Sequence, residues 1–413
     1  MSFRVSYQAP PLPQRGEADG LPVYWLPSKE PLAQVGFIWE APALKEYDPG
    51  IRRLLLRLLS EENQLHPEGK LRQQLHRLGW DYSWDADRDN IYLFGEGLRE
   101  NLSSAIKLLY ASVAYPVLSG PLVKHHLHRL VEGERRARAN PAYRADALLS
   151  QHLWGSTYTL TRSVPLERLE GMDTAQLRAY HERFLLRGLQ KAIISAPFLP
   201  SELRAWAEFH GKVAYALPVV LSPSLICETV AMEAAQVSLR IAYPWVRPFH
   251  PQFGYYRMAA LRLGGYFGAQ LMQSIREEAG LTYGIYARPD SCHAGSALII
   301  STEVAKNRAA EAVARIQTEV ERWSQNPFPT EEILLETRNY LLLQIMPETL
   351  SEWTQRLMRL YGIGLEPDRF IQQNKLIDSL QALEEVPRLE LPSLPYVQIG
   401  VGTDEPIFAS TCA

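Results

Sequence analysis

The sequence predicts an α+β protein built from two copies of one domain. Three observations carry this. Strand-like and helix-like stretches come in runs, so helices should pack on mostly antiparallel sheets. A proline-marked stretch, 197–227, divides the 413 residues near their middle. The pattern that precedes it then returns. Ala33-Gln34-Val35 and Ala235-Gln236-Val237 each begin a strand, 202 residues apart. Leu71 and Leu75 recur as Leu271 and Ile275, and Gly79 and Tyr82 as Gly280 and Tyr283. Copies this long are duplicated domains rather than solenoid units. The expected division is 1–196, a linker at 197–227, and 228–413.

In chain order, residues 1–20 are rich in proline and polar residues and read as an arm. Leu21–Leu26 and Ala33–Trp39 read as strands, with Pro27–Pro31 turning between them. Glu46–Gly50 is a turn with helix-start character. A helix follows over Ile51–Glu62, with Leu54, Leu55, Leu58 and Leu59 on one face. A second helix, Gly69–Leu78, stops at Gly79. Trp80–Ala86 and Ile91–Phe94 read as strands, Asn101–Val113 and Pro121–Arg138 as helices, the latter running on after Pro141 to His152. Asp173 caps a helix that ends at Leu185, and Leu189–Ala196 is a strand. One short helix, Glu202–His210, lies inside the linker. In the second half, Leu263–Tyr286 is the most ordered stretch. Gly264, Gly265 and Gly268 mark a turn. Leu271, Met272 and Ile275 follow at helical spacing, and Gly280 supplies a left-handed stop. Leu281, Tyr283 and Ile285 then alternate as in a strand.

Composition bounds the function. Hydrophobic residues are 46% and charged residues 22%, which suits a large globular core. A formal charge of −3 argues against nucleic acid or an anionic membrane as partner. No apolar run approaches the ~18 residues of a membrane span. The first twenty residues show no secretory pattern, so a cytoplasmic location is expected. Cys227, Cys292 and Cys412 are odd in number and far apart. They read as neither a disulfide framework nor a metal knuckle, which fits a reducing compartment. Nucleophile-elbow, P-loop and dinucleotide signatures are lacking. His125, His126 and His128 cluster on one helix, but no carboxylate lies a turn away, so solvated histidines are expected there.

Two residues of the ordered stretch carry possible chemistry. Arg276 ends the helix and Tyr283 lies in the strand beyond Gly280. A guanidinium fork and a phenol could together hold a peptide carbonyl or a developing oxyanion. Taken alone they fit better a helix-terminal arginine that offsets the macrodipole and a core tyrosine, the commoner roles of lone residues of these types.

The stretch resembles the second-domain signature of the insulinase/pitrilysin family of zinc peptidases, which includes the mitochondrial processing peptidase. There a glycine-rich turn precedes R-x-x-x-x-x-x-Y, and Arg276 and Tyr283 match that spacing. The resemblance implies that both bind substrate backbone opposite a zinc ion. It also implies two homologous domains, each a mostly antiparallel sheet packed with helices, together forming half of a clamshell.

The family's zinc site is an inverted motif, H-x-x-E-H, on the first long helix. Aligned on Gly50, Arg53 and Arg57 stand at the histidine positions and Leu56 at the position of the general base. Arginine stays protonated and cannot ligate zinc, and leucine cannot take a proton. Alignment through Pro141 puts Gly133 at the third-ligand position, with Glu132 and Glu134 beside it as ordinary surface acids. The resemblance therefore implies a catalytically degenerate chain with no zinc of its own. It would form a heterodimer with a homologous active subunit that carries the zinc and take unfolded peptides as substrate. Two other readings stay open: a structural scaffold, like the peptidase-derived core subunits of the respiratory bc1 complex, and a stand-alone peptide-binding protein that adds a substrate strand to a sheet edge.

Overall fold

The computed structural model describes residues 4–42, 50–158, 166–213 and 225–408. The expected turn before Gly50 lies outside them, as do Pro218 and Pro223 of the linker. The first sheet contains β1 (Gln14–Ala18), β2 (Leu21–Pro27), β3 (Leu32–Glu40), β4 (Trp80–Ala86), β5 (Asn90–Leu98) and β6 (Leu189–Ala196), in the order β1-β2-β6-β3-β5-β4. The second contains β7 (Ile226–Val230), β8 (Gln236–Pro244), β9 (Thr282–Cys292), β10 (Gly295–Ala305) and β11 (Val397–Val401), in the order β7-β11-β8-β10-β9. In each sheet one neighbouring pair runs parallel, β2 with β6 and β7 with β11, and the other pairs are antiparallel. From β2 onward the two orders match strand for strand, so the duplication is visible as topology.

The amino-terminal arm is more ordered than its composition suggests. Residues 14–18 form edge strand β1, and Asp19 and Gly20 turn it into β2 with φ of 49° and 93°. Asp-Gly is the favoured pair for a hairpin turn that needs positive φ at both positions. Further back, the arm straps onto the second half. Val5 and Tyr7 are buried there, Asn374 Nδ2 donates to the Tyr7 hydroxyl at 3.2 Å, and Trp353 Nε1 donates to the Pro11 carbonyl at 2.9 Å.

Strand β3 explains how the halves interlock. Its residues are buried on both faces, as the continuous apolar run AQVGFIW requires. Ala33, Val35, Phe37 and Trp39 face the helices of their own half. Ile38 faces the other way, onto Trp353, Leu357 and Met358 of the Leu350–Gly362 helix from the second half. Gly36 lies on that same face, where an added Cβ would meet the Met358 sulfur. The second sheet is covered reciprocally. Ala242, Ala297, Val397, Ile399 and Val401 pack on Ala145, Leu149, Leu153 and Trp154 of the Pro141–Tyr158 helix, which comes from the first half. Each half thus covers the other's sheet.

The β4–β5 and β9–β10 hairpins meet at their tips. Arg88 donates twice to the Asp290 carboxylate, at 2.7 and 2.8 Å. Its guanidinium also lies 5.2 Å from the Trp154 ring centroid. The His293 amide donates to Asp89 Oδ2 at 2.8 Å. Burial holds the Asp89 carboxyl above its usual range, against the pull of His293. The cysteine reading needs a correction: Cys227 is disulfide-bonded, while Cys292 is a free thiol that burial pushes up to about 12. Separation in sequence says nothing about separation in the fold. No helix among the described residues is long and apolar enough to cross a membrane.

Two expectations follow from this packing. Gly36→Ala should lower stability by about 1–3 kcal/mol, the usual range for an overpacked core. Met358→Ala should relieve part of that loss in the double variant, measured by denaturant unfolding. Full additivity would show that the two sites do not touch.

The second concerns His181, whose Nε2 donates to the Val113 carbonyl at 2.8 Å. Burial holds its pKa below the ordinary 6.5. The unfolded chain therefore binds more protons here once pH falls below that value, so stability should drop on acidification from neutral pH. His181→Gln keeps a donor but does not titrate, and its melting temperature should fall less between pH 7 and pH 5. Parallel profiles for the two proteins would refute this.

Candidate functional site

The Gly50–Leu59 helix, expected to carry the degenerate metal motif, packs on the Gly120–Arg138 helix. Between them lies a charge cluster centred on Glu134, whose side chain is fully buried. Arg53 Nη1 reaches Glu134 Oε2 at 3.2 Å, and Arg138 Nε reaches Oε1 at 3.3 Å. The Tyr143 hydroxyl lies 2.8 Å from both carboxylate oxygens. Burial and then Glu134 itself raise the Tyr143 pKa. Leu56 is buried, whereas Arg57 points outward and is depressed by partial burial and by the nearby Arg53 and Arg129.

This geometry corrects one reading. Gly133 faces open space, and Glu134, one residue on, is the acid opposite Arg53. One step along a helix turns a side chain through about 100°, so adjacent residues can differ as inside and outside. Glu134 is accordingly no surface acid, although Glu132 is partly exposed and pairs with Arg135. The residues present do not fit zinc. The carboxylate already has two guanidinium partners and a phenol, and the neighbouring positions offer no ligand. Among the described residues, no group of three or more His, Cys, Asp and Glu side chains could hold a metal. Within the histidine cluster, His126 is buried with Nε2 3.1 Å from Glu61, and His125 and His128 are exposed.

The second-half stretch folds largely in the expected order. Gly264 ends the Phe253–Gly264 helix, with its backbone so close to Ala287 of β9 that a Cβ would meet the Ala287 nitrogen at 2.6 Å. After the glycine turn, residues Met272–Glu278 wind as a π-helical segment, a form common at functional sites. Gly280 closes it with φ of 60°. The Leu281 amide reaches back to the Ile275 carbonyl and the Gly280 amide to that of Arg276, both at 3.0 Å.

The pair then stands out from the surface. Tyr283 is 91% exposed, so it is not a core tyrosine. A bulge causes this. Thr302 pairs with Ile285 and Val304 with Thr282, leaving Tyr283 and Gly284 opposite Glu303 alone. Such an extra residue re-aims side chains beside functional sites. Hydroxyls pin it: Thr282 Oγ1 lies 2.7 Å from the Glu303 carbonyl, and Thr302 Oγ1 lies 2.9 Å from both Thr282 Oγ1 and the Gly284 carbonyl. Arg276 stacks its guanidinium 4.8 Å from the ring centroid of Phe267, which is itself 60% exposed. Its Nε is 3.5 Å from Glu277. Among the described residues no hydrogen bond joins Arg276 to Tyr283. Phe267 was missed by the sequence reading, although an aromatic inside a glycine turn is a visible signal.

Fold and site together define a two-domain α+β architecture with matching sheet orders in its two halves. Residues 172–341 match the family described as the peptidase M16 inactive domain. A search of curated proteins finds no match. Among solved structures, the peptidase M16 inactive domain from Pseudomonas fluorescens has a TM-score of 0.85 at 19% identity, covering 94% of this chain and 98% of that one. A protease from Helicobacter pylori has a TM-score of 0.80 at 13% identity, with 95% and 100% covered. The periplasmic protease PqqL from Escherichia coli has a TM-score of 0.76 at 12% identity, with 97% of this chain matching 47% of that one. These matches bear out the resemblance to the insulinase/pitrilysin family and its two-domain fold. The family match covers residues 172–341, and the likeness to the solved structures, which spans nearly the whole chain, is one of fold.

The Glu134 cluster yields a stability test. Glu134→Ala would leave two guanidinium groups, each about one-third exposed, and the Tyr143 hydroxyl without their shared acceptor. A loss of about 3 kcal/mol is expected in denaturant unfolding, the low end for breaking a buried pair. A loss under about 0.5 kcal/mol would mean that solvent reaches the arginines freely.

Proposed function

We propose that this chain is the non-catalytic half of a two-chain zinc endopeptidase and that Arg276 and Tyr283 hold the substrate. The single observation that carries the reading is the exposure of Tyr283, displayed by a bulge beside the helix end that bears Arg276. A side chain kept for packing has no reason to be 91% exposed and propped by two threonine hydroxyls. The division of labour is physical. A homologous partner with the intact H-x-x-E-H helix would hold zinc, water and base, and this chain would supply donors to an unfolded peptide across the chamber. Arg276 offers a planar fork and Tyr283 a single hydroxyl, which suits a peptide carbonyl whose oxygen gains charge during attack. Phe267, under the Arg276 guanidinium, keeps that fork from collapsing onto the surface.

The test uses the chain assembled with such a partner. Tyr283→Phe and Arg276→Ala should each lower kcat by about 10²–10³-fold, the usual effect of removing a donor to a developing oxyanion. Zinc content and assembly should not change, and Tyr283→Phe should leave the melting temperature as it was. A loss confined to KM would mean uniform substrate binding instead. Full activity in both variants would make the pair ornamental and favour the scaffold. Stoichiometric zinc and chelator-sensitive cleavage by this chain alone would overturn the reading from the other side.

A further inference from the structure

The Pro141–Tyr158 helix packs on β8 and β11, at the middle of the second sheet. One helix, about 10 Å across, covers about two strands. The β10–β9 side of this face is therefore left open, and a cavity of about 430 Å³ lies there. That is within the usual size of small-ligand sites, about 300–1,000 Å³. One wall is a single helix face: Asp146, Leu149, Ser150, Leu153 and Trp154 recur at helical spacing. The other wall is Tyr286, Arg288 and Asp290, alternate residues of β9, with Ile299 and Ser301 of β10. Arg88 closes one end from the opposite hairpin.

Its hydrogen-bonding capacity is one-sided. The acids on the wall are engaged: Asp290 accepts both bonds from Arg88, and Asp146 accepts from Arg240 Nε at 2.6 Å. The donors are not. The indole N–H of Trp154, a residue 5% exposed, has no acceptor, and neither has Nε of Arg88, a residue 8% exposed. The Ser150 hydroxyl is also without a partner. Arg288 makes no ion pair among the described residues and rests 5.3 Å from the Tyr286 ring centroid. Orphaned buried donors in a native fold call for an acceptor. Leu149, Leu153 and Ile299 supply an apolar floor.

We propose that this cavity binds a peptide carboxylate, with Arg288 as the charge partner and apolar flanking groups on the leucine floor. A carboxylate is acceptor-only and matches a guanidinium fork. An acidic side chain or a chain terminus could supply it. This goes beyond the pairing with a zinc-bearing chain, because binding at the cavity needs no partner.

The experiment uses the full chain alone and short dye-labelled peptides, read by fluorescence anisotropy. The probes are the blocked peptide Gly-Leu-Glu-Leu-Gly, its Gln counterpart, and the Gln peptide with a free carboxyl terminus. At least one carboxylate-bearing probe should bind about tenfold more tightly than the blocked Gln peptide, the usual effect of a charge-assisted bond. The Glu probe identifies a side-chain site and the free-terminus probe a terminal site. Arg288→Gln should remove the difference, and Arg288→Lys should restore part of it. Arg288 is exposed, so the fold should survive, as the melting temperature would confirm. Arg204→Gln, at a distant exposed arginine, should change nothing. Equal binding of all three peptides, binding of none, or a preference unchanged by Arg288→Gln would each overturn the proposal.

Discussion

Each sheet of this chain has two apolar faces, and the structure depends on covering both. A sheet with helices on one side and water on the other would alternate apolar with polar residues. Strand β3 does not alternate, and neither do the interior residues of β8 and β11. The second face of each sheet is closed by a helix from the other half. The exchange makes the halves mutually dependent: neither the Leu350–Gly362 helix nor the Pro141–Tyr158 helix could bury its apolar face at home. The arm that straps across to Tyr7 and Pro11 adds to the same interlock.

Much of this was legible in the sequence. Strands, helices and the repeat follow from period, capping and glycine placement, which are local. The Asp173 capping box and the Gly280 stop are both where their residue types put them. What escaped was relational. Which helix covers β3 depends on residues more than three hundred positions away. The hairpin β1–β2 was hidden because its strand is polar and the Asp-Gly turn was counted with an arm. The bulge at Tyr283 needs the partner strand to be counted. The burial of Glu134 escaped because the sequence does not say which face of its helix meets the Gly50–Leu59 helix.

The site around Glu134 shows how side chains alone hold a buried carboxylate. An unpaired acid in an apolar interior is costly, and removal of one partner is worse than removal of both. Here Arg53 and Arg138 bring the positive charge and Tyr143 a further hydrogen bond. The cluster ties three helices together. It is closed to substrate chemistry for the same reason that it is stable, since both oxygens of the buried acid already accept from side chains. The Arg276–Tyr283 region is the opposite: exposed, lightly paired and shaped by a bulge.

The hairpin tips carry one more consequence. Two separate molecules of one domain, meeting about a two-fold axis, would have to present identical side chains from both hairpins. Any arginine that found an aspartate would have to carry that aspartate on its own tip as well. In this chain β4–β5 brings Arg88 and Asp89, and β9–β10 brings Asp290 and His293. Each tip offers the other one acid and one donor, but the residues differ, arginine and aspartate on one and aspartate and histidine on the other. The β9 and β10 strands are also longer than their counterparts, eleven residues each against seven and nine. Joining the copies in one polypeptide released them from self-complementarity. It let the two tips differ in residue and in length while each still answers the other.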